Sequence, residues 1–103
     1  MSSCLELTDA SIISLSNHFT GLQSLDVSKC RQLTDASIKS ISTHCTGLHS
    51  LNISYCEKLT DASIISISSH LKKLDKLCLS KNDQITIDAI NQLYVMYPRL
   101  TIH

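Results

Sequence analysis

Tryptophan is absent from this chain, and phenylalanine, proline and glycine are scarce, with one, one and two copies among 103 residues. The two glycines, Gly21 and Gly47, stand far apart, so the sequence has no Gly-rich loop of the kind that cradles a phosphate group. Protein interfaces draw their strongest contacts from Trp, Tyr and Arg. A protein partner would therefore find few large anchors on this chain.

An excess of charge of either sign is also missing, because 9 Lys and Arg residues balance 9 Asp and Glu residues. Such a chain lacks the electrostatic footprint that nucleic acids or anionic membranes require. No segment approaches the roughly 20 apolar residues that span a bilayer, and the first residues, MSSCLELTDA, do not resemble a signal peptide. We expect a soluble protein of the cytoplasm or nucleus, with neither nucleic acid nor membrane as a partner.

Cysteine occurs 5 times, and no pair has the Cys-x-x-Cys spacing of a zinc site. An odd number of cysteines is not typical of a secreted disulfide framework, so we expect reduced thiols. Three of them, Cys4, Cys30 and Cys56, recur at one spacing. On adjacent strands, about 5 Å apart, distance alone would permit a bridge, but parallel side chains rarely offer the required torsion.

The whole chain repeats itself after about 26 residues, which is the length of a leucine-rich-repeat unit. Three sets of residues share one position in the repeat: Cys4, Cys30, Cys56 and Asn82; Leu7, Leu33, Leu59 and Ile85; Leu22, Leu48, Leu74 and Leu100. We therefore predict one domain over residues 1–103, with units at 4–29, 30–55, 56–81 and 82–103.

Each unit combines a strand pattern with a helix pattern. Leu25-Asp26-Val27 alternates apolar and polar residues, as a half-buried strand does. Thr-Asp pairs at 8–9, 34–35 and 60–61 predict helix starts, and Gly21 and Gly47 predict left-handed residues that end helices. A strand and a helix that alternate in constant register predict an α/β solenoid with a parallel sheet and right-handed crossovers. The strands line its concave face and the helices its convex face.

The consensus is Leu-x-x-Leu-x-Val-x-x-Cys-x-x-Leu-Thr-Asp-x-x-Ile-x-x-Ile-x-x-x-Cys, as it stands in residues 22–45. It resembles the cysteine-containing leucine-rich repeats of F-box/leucine-rich-repeat proteins, the substrate receptors of cullin-type ubiquitin ligases. The resemblance implies a curved solenoid that binds proteins through its concave face. It also implies a role in the ubiquitin pathway as the substrate-recognition part of such a receptor.

Two columns of residues invite a metal or redox site. The cysteine column offers soft thiolate ligands, but its members equally suit buried S–H groups that donate to loop carbonyls, since Asn82 takes the same position. His18, His44 and His70, with Met96 in the same position, suggest a zinc site or pH switch. They are equally expected at helix carboxyl ends, where positive charge is favourable. We predict no metal and no cofactor.

A cysteine nucleophile needs a base within hydrogen-bond reach. The predicted fold separates Cys78, on the concave side, from the histidines on the outer helices. We therefore predict no enzymatic activity.

The predicted site of partner binding is the concave surface of the sheet, which we call the strand face. Its outward-pointing residues are Ser24, Asp26, Ser28, Ser50, Asn52, Ser54, Tyr55, Lys76, Cys78 and Ser80, with Lys29 and Lys81 beside them. Tyr55 is the one side chain of the type enriched in hot spots. A serine-rich surface also fits a mere scaffold, and this alternative stays open.

The two ends of the array differ in sequence. The last unit is atypical, with Asn82, Ile87 and a bulky finish, as expected of a terminal repeat. The first unit begins in mid-repeat, so we expect either a longer protein or an amino-terminal edge through which the chain self-associates. Ile13 and Ile65 are predicted to be exposed on the convex face.

Overall fold

Helices and strands alternate strictly along the chain in the computed structural model, which describes residues 7–102. The four helices are α1 (Asp9–His18), α2 (Asp35–His44), α3 (Asp61–His70) and α4 (Ile87–Met96), and the four strands are β1 (Ser24–Asp26), β2 (Ser50–Asn52), β3 (Lys76–Cys78) and β4 (Thr101–Ile102). The predicted α/β architecture is confirmed. Cys4 and His103 lie outside the described residues.

The four strands form one parallel sheet in chain order. Leu25 lies opposite Leu51, and Leu51 lies opposite Leu77, each pair a full period apart. Leu77 lies opposite Ile102, one residue short of a full period. Leu100 is buried like Leu74, with which it shares a position in the repeat. The last unit therefore lacks one residue between Leu100 and Ile102.

The core lies between the sheet and the row of helices, and it is filled by the apolar positions that recur in every unit. Fully buried members include Val27, Leu33, Ile38, Ile41, Leu48, Leu51, Ile53, Leu59, Ile67, Leu71 and Leu77. Each helix packs on the helices of adjacent units, and each strand pairs with adjacent strands. Stability in such an array depends on contacts between neighbouring units.

No helix within residues 7–102 is both long and apolar enough to cross a membrane. Each of the four has 10 residues.

All three predicted helix starts are correct, since α1, α2 and α3 begin at Asp9, Asp35 and Asp61. The Thr34 hydroxyl accepts a hydrogen bond from the amide of Ala36, and Thr60 accepts the equivalent bond from Ala62. Thr86 caps α4 by accepting from the amide of Ala89, one residue further on. Thr8 precedes α1 but makes no such capping bond. Its hydroxyl lies 3.5 Å from that of Ser11.

The predicted role of Gly21 and Gly47 is wrong. Neither glycine has a positive φ, and α1 and α2 already end at His18 and His44. The chain leaves each helix through a cap residue with negative φ, such as Phe19 at φ −115 and ψ 62. Because neither glycine has a positive φ, an L-residue fits the same position, and the later units carry Lys73 and Arg99 there.

Left-handed backbone occurs instead just after the strands, at Lys29, Tyr55 and Lys81, with φ of 65, 61 and 64. The amide of Lys29 donates to the Ser54 carbonyl at 2.8 Å, and the amide of Tyr55 donates to Ser80 at 2.9 Å. This conformation lets the backbone of one unit bond the next. The sequence contained no signal for it, because glycine is absent from all three positions.

We predict that Lys81→Gly stabilises the protein by up to about 1 kcal/mol. A left-handed L-residue costs roughly 1–2 kcal/mol, which exceeds the backbone entropy of about 0.5–1 kcal/mol that glycine loses on folding. Urea unfolding measures the change. Lys73→Gly, at a position with no positive φ, serves as the control and should destabilise. Equal losses in both variants would contradict the prediction.

Candidate interaction surface

The residues of the strand face differ in how much they expose. Ser24, Tyr55, Lys76 and Ser80 are exposed, whereas Asp26, Ser28, Ser50, Asn52 and Cys78 are half-buried. Ser54 does not lie on the surface as expected, since only 8% of it is exposed. The strands bring Ser24 and Lys76 onto one side of the sheet because alternate side chains of a strand share a face. Tyr55 and Ser80 lie in the loops that follow β2 and β3.

Two members of the strand face also hold the loops that follow the strands. One carboxylate oxygen of Asp26 accepts hydrogen bonds from the amide of Ser28 at 2.9 Å and from its hydroxyl at 2.7 Å. The side-chain oxygen of Asn52 accepts the amide of Ser54 at 3.0 Å. These are local turns of the Asx type. Asp26 and Asn52 therefore have a structural task beside any contact with a partner.

The most distinctive feature at the edge of the strand face is a row of three exposed side chains, Lys29, Tyr55 and Lys81, which we call the rim row. They occupy the three left-handed positions, one per unit. The Lys29 ammonium lies 5.9 Å from the centre of the Tyr55 ring, within cation–π range. At an exposed site such a contact is worth about 0.5–1 kcal/mol. It favours one orientation of the Tyr55 ring and so lowers the entropy cost of binding a partner.

Consecutive units are joined by an aspartate ladder, made by Asp9, Asp35 and Asp61. Asp35 accepts the amide of Thr60 at 2.9 Å, its hydroxyl at 2.6 Å and the hydroxyl of Ser63 at 2.5 Å. Asp9 receives the same three groups from the second unit, at Thr34 and Ser37. The aspartate that opens one helix thus caps the next helix, which the sequence analysis did not foresee.

The ladder stops at the last unit. Asp61 accepts only the amide and hydroxyl of Thr86, both at 2.8 Å, because Ala89 stands where Ser37 and Ser63 provide a hydroxyl. Ile87 occupies the aspartate position itself and is 74% exposed.

The ladder lowers the pKa of its carboxyl groups. Burial by itself raises the pKa of Asp35, but the hydrogen bonds from Ser63 and Thr60 outweigh burial and hold the pKa below its ordinary value. The same balance, with Ser37 and Thr34 as donors, lowers the pKa of Asp9. The ionised form is the one that these donors stabilise.

The cysteine column donates hydrogen bonds between units. The Cys56 thiol donates to the Val27 carbonyl of the preceding unit at 3.2 Å. The Asn82 side-chain amide donates to the equivalent carbonyl, that of Ile53, at 2.7 Å. Burial raises the pKa of the Cys56 thiol to about 11. The thiol therefore stays protonated at neutral pH and can donate its S–H hydrogen. These contacts support the interpretation of the column as buried donors to loop carbonyls.

A second column shows the same exchange of donors. The Cys45 thiol donates to the Phe19 carbonyl at 3.4 Å, and the Tyr97 hydroxyl donates to the equivalent Leu71 carbonyl at 2.8 Å. These carbonyls belong to residues that end helices. Burial raises the pKa of both Cys45 and Tyr97, which keeps both donors protonated.

The histidines lie at the carboxyl ends of their helices, which is the second of the two interpretations given in the sequence analysis. Nδ1 of His18, His44 and His70 lies 2.8, 2.9 and 3.1 Å from the carbonyl four residues earlier in its own helix. All three rings are exposed. Within residues 7–102, no group of three or more His, Cys, Asp or Glu side chains is arranged to hold a metal ion.

Apolar side chains are exposed at both ends of the array. A hollow of about 250 Å³ lies at the amino-terminal end of the array. We call the surface around it the N-terminal end face, and its residues are Leu15, Phe19, Leu22, Ser24 and Leu25. Phe19 is 59% exposed there. On the helices, Ile13 and Ile65 are exposed as predicted.

The repeat unit itself is recognised by comparison. A family model described as "Leucine Rich repeat" matches residues 20–42 and 44–68, which fall in consecutive units. The chain is built of leucine-rich repeats. Among proteins with curated functions, none matches its sequence.

Solved structures share the fold of this leucine-rich-repeat chain. A chain in the crystal structure of the Rad7 and Elc1 complex from yeast superposes with a TM-score of 0.80 at 24% identity, over 96% of this chain and 23% of its own length. A chain in the structure of the Chaetomium Mex67:Mtr2 subunits superposes with a TM-score of 0.65 at 14% identity, over 92% and 68%. This chain therefore spans about a quarter of the first relative.

We predict that Asp35→Asn lowers the free energy of unfolding by roughly 1–3 kcal/mol at pH 7, because buried donors lose a charged acceptor. A carboxyl with a lowered folded-state pKa contributes stability above its unfolded pKa and loses it as the pH falls through the folded value. The wild type should therefore weaken between pH 6 and pH 3, and Asp35→Asn should weaken less. Urea unfolding at both pH values measures this.

The control is Asp83→Asn, at an exposed aspartate outside the ladder. Its stability should follow the wild type at both pH values. An Asp35→Asn chain with the same acid sensitivity as the wild type would show that the ladder does not carry the effect.

Proposed function

We propose that this leucine-rich-repeat chain is a non-enzymatic interaction module that binds a protein partner through the strand face. The observation that carries the proposal is the rim row, in which Tyr55 is exposed and held against Lys29 beside a polar, serine-rich sheet. Tyrosine presents a large contact area at low cost in entropy. The two solved structures compared above are assemblies of more than one named component, which agrees with a binding role.

The cysteine-containing consensus supports a finer proposal. We propose that the chain serves as the substrate-recognition part of an F-box/leucine-rich-repeat type ubiquitin-ligase receptor, in the cytoplasm or nucleus. The partner would then be a protein destined for modification.

Tyr55→Ala should weaken capture of the partner at least tenfold, as removal of a hot-spot tyrosine does. Affinity capture with purified wild type and variant, followed by titration of the captured protein, measures the loss. Tyr94→Ala is the matched control, because Tyr94 is also an exposed tyrosine, at 49%, but lies on α4. Circular dichroism should show the same helical content in all three chains.

An equal loss of partner in Tyr55→Ala and Tyr94→Ala, or no loss in either, would argue against the strand face. Asn52→Ala is a weaker probe, since it also removes the acceptor of the Ser54 amide.

A second candidate is an assembly unit that associates through its N-terminal end face. The observation that favours it is the comparison with inner units: Ile41, Cys45, Leu48 and Leu51 take the same repeat positions as Leu15, Phe19, Leu22 and Leu25, and all four are fully buried. The unit before them covers them. The first unit leaves an apolar hollow at the place where such cover would lie.

Light scattering coupled to size exclusion, over a range of concentrations, tests this second candidate. Assembly through the end face predicts a mass that rises with concentration and falls back to that of the monomer in Phe19→Ser. A monomer at every concentration would exclude binding of a second copy at the end face, and would leave the strand face and a different partner for the end face as the remaining candidates.

A further inference from the structure

Polar side chains lie beside the hollow of the N-terminal end face, and they restrict which partner can bind there. The hydroxyls of Thr8 and Ser11 are exposed and lie 3.5 Å apart. In the next two units, the equivalent residues donate to an aspartate of the preceding unit: Thr34 and Ser37 to Asp9, and Thr60 and Ser63 to Asp35. There the serines are fully buried.

Serine joins adjacent helices at a second point. The Ser16 hydroxyl lies 2.6 Å from that of Ser40, and the Ser42 hydroxyl lies 2.5 Å from that of Ser66. Ser14, on α1, occupies the same repeat position as Ser40 and Ser66, and it is exposed. In a preceding unit, the serine facing Ser14 would stand seven residues after that unit's aspartate, as Ser16 stands seven residues after Asp9.

This chain's own carboxyl-terminal end does not supply those groups. Ile87 replaces the aspartate and Tyr94 replaces the serine, and both side chains are exposed, at 74% and 49%. A second copy stacked head to tail would set Thr8 and Ser11 against an isoleucine. Two N-terminal end faces set against each other would bring hydroxyl groups against hydroxyl groups and would add no carboxylate, since Asp9 already accepts from Thr34 and Ser37.

We infer that the N-terminal end face receives another leucine-rich repeat, one whose last helix begins with aspartate and carries serine seven residues later. This inference rests on the second candidate function and names its partner. The carboxylate accepts from Thr8 and Ser11, the serine meets Ser14, and the partner's apolar residues fill the hollow at Phe19. This chain's own carboxyl-terminal end is excluded as the occupant.

Rebuilding the carboxyl-terminal end tests the inference. The double variant Ile87→Asp with Tyr94→Ser restores both polar groups at exposed positions and should self-associate head to tail. A heterologous contact of this kind gives open chains, so the mass measured by light scattering should keep growing with concentration. The single variant Ile87→Asp is measured in parallel as a milder change.

The matched control is Ile87→Ser with Tyr94→Ser, which removes the same apolar side chains without adding a carboxylate, and it should not grow beyond the wild type. Adding Thr8→Val and Ser11→Ala to the aspartate variant should abolish growth. Thermal unfolding followed by circular dichroism confirms that each chain is folded.

An aspartate variant that grows no more than the serine control would overturn the inference. If the wild type nevertheless assembles and Phe19→Ser prevents it, the second candidate function stands and only the identity of the partner is wrong. If the aspartate variant grows but Phe19→Ser leaves that growth unchanged, the association does not use the N-terminal end face, and both the inference and the second candidate function fail.

Discussion

The hydrogen bonds between an aspartate and the start of the following helix are the interaction on which the array depends. One carboxylate takes a backbone amide and two hydroxyls from the next unit, as Asp35 does from Thr60 and Ser63. The bonds fix the spacing and orientation of adjacent helices, while the parallel strands fix the other side of the unit. Because a single unit cannot bury its own apolar face, these contacts between units create the core.

Chemically different residues perform one task at several positions of the repeat. Cys56 and Asn82 both donate to a loop carbonyl of the preceding unit, and Cys45 and Tyr97 both donate to a carbonyl at a helix end. A buried carbonyl requires a donor but does not require a particular one. The recurrence of cysteine therefore reflects hydrogen bonding in a confined space, and the raised pKa of Cys56 suits that task better than metal binding.

The surfaces available to partners follow from the repeat and from its interruptions. The strand face exists in every unit, yet Tyr55 occurs in only one, which makes the middle of the sheet distinct. The ends are distinct because one exposes donors and the other exposes Ile87 and Tyr94. Specificity in such an array arises where a unit departs from the consensus.

The sequence by itself determined the repeat length, the order of strands and helices, the parallel sheet and the buried positions, because these follow from a periodic apolar pattern. Tertiary structure decided what depends on the neighbouring unit. It directed the Asp9 carboxylate to Thr34 at the start of α2, although Asp9 itself begins α1. It also buried Ser54 and put the left-handed residues at Lys29, Tyr55 and Lys81 instead of Gly21 and Gly47. Local sequence rules describe one segment at a time, whereas each of these features is a contact between two units about 26 residues apart.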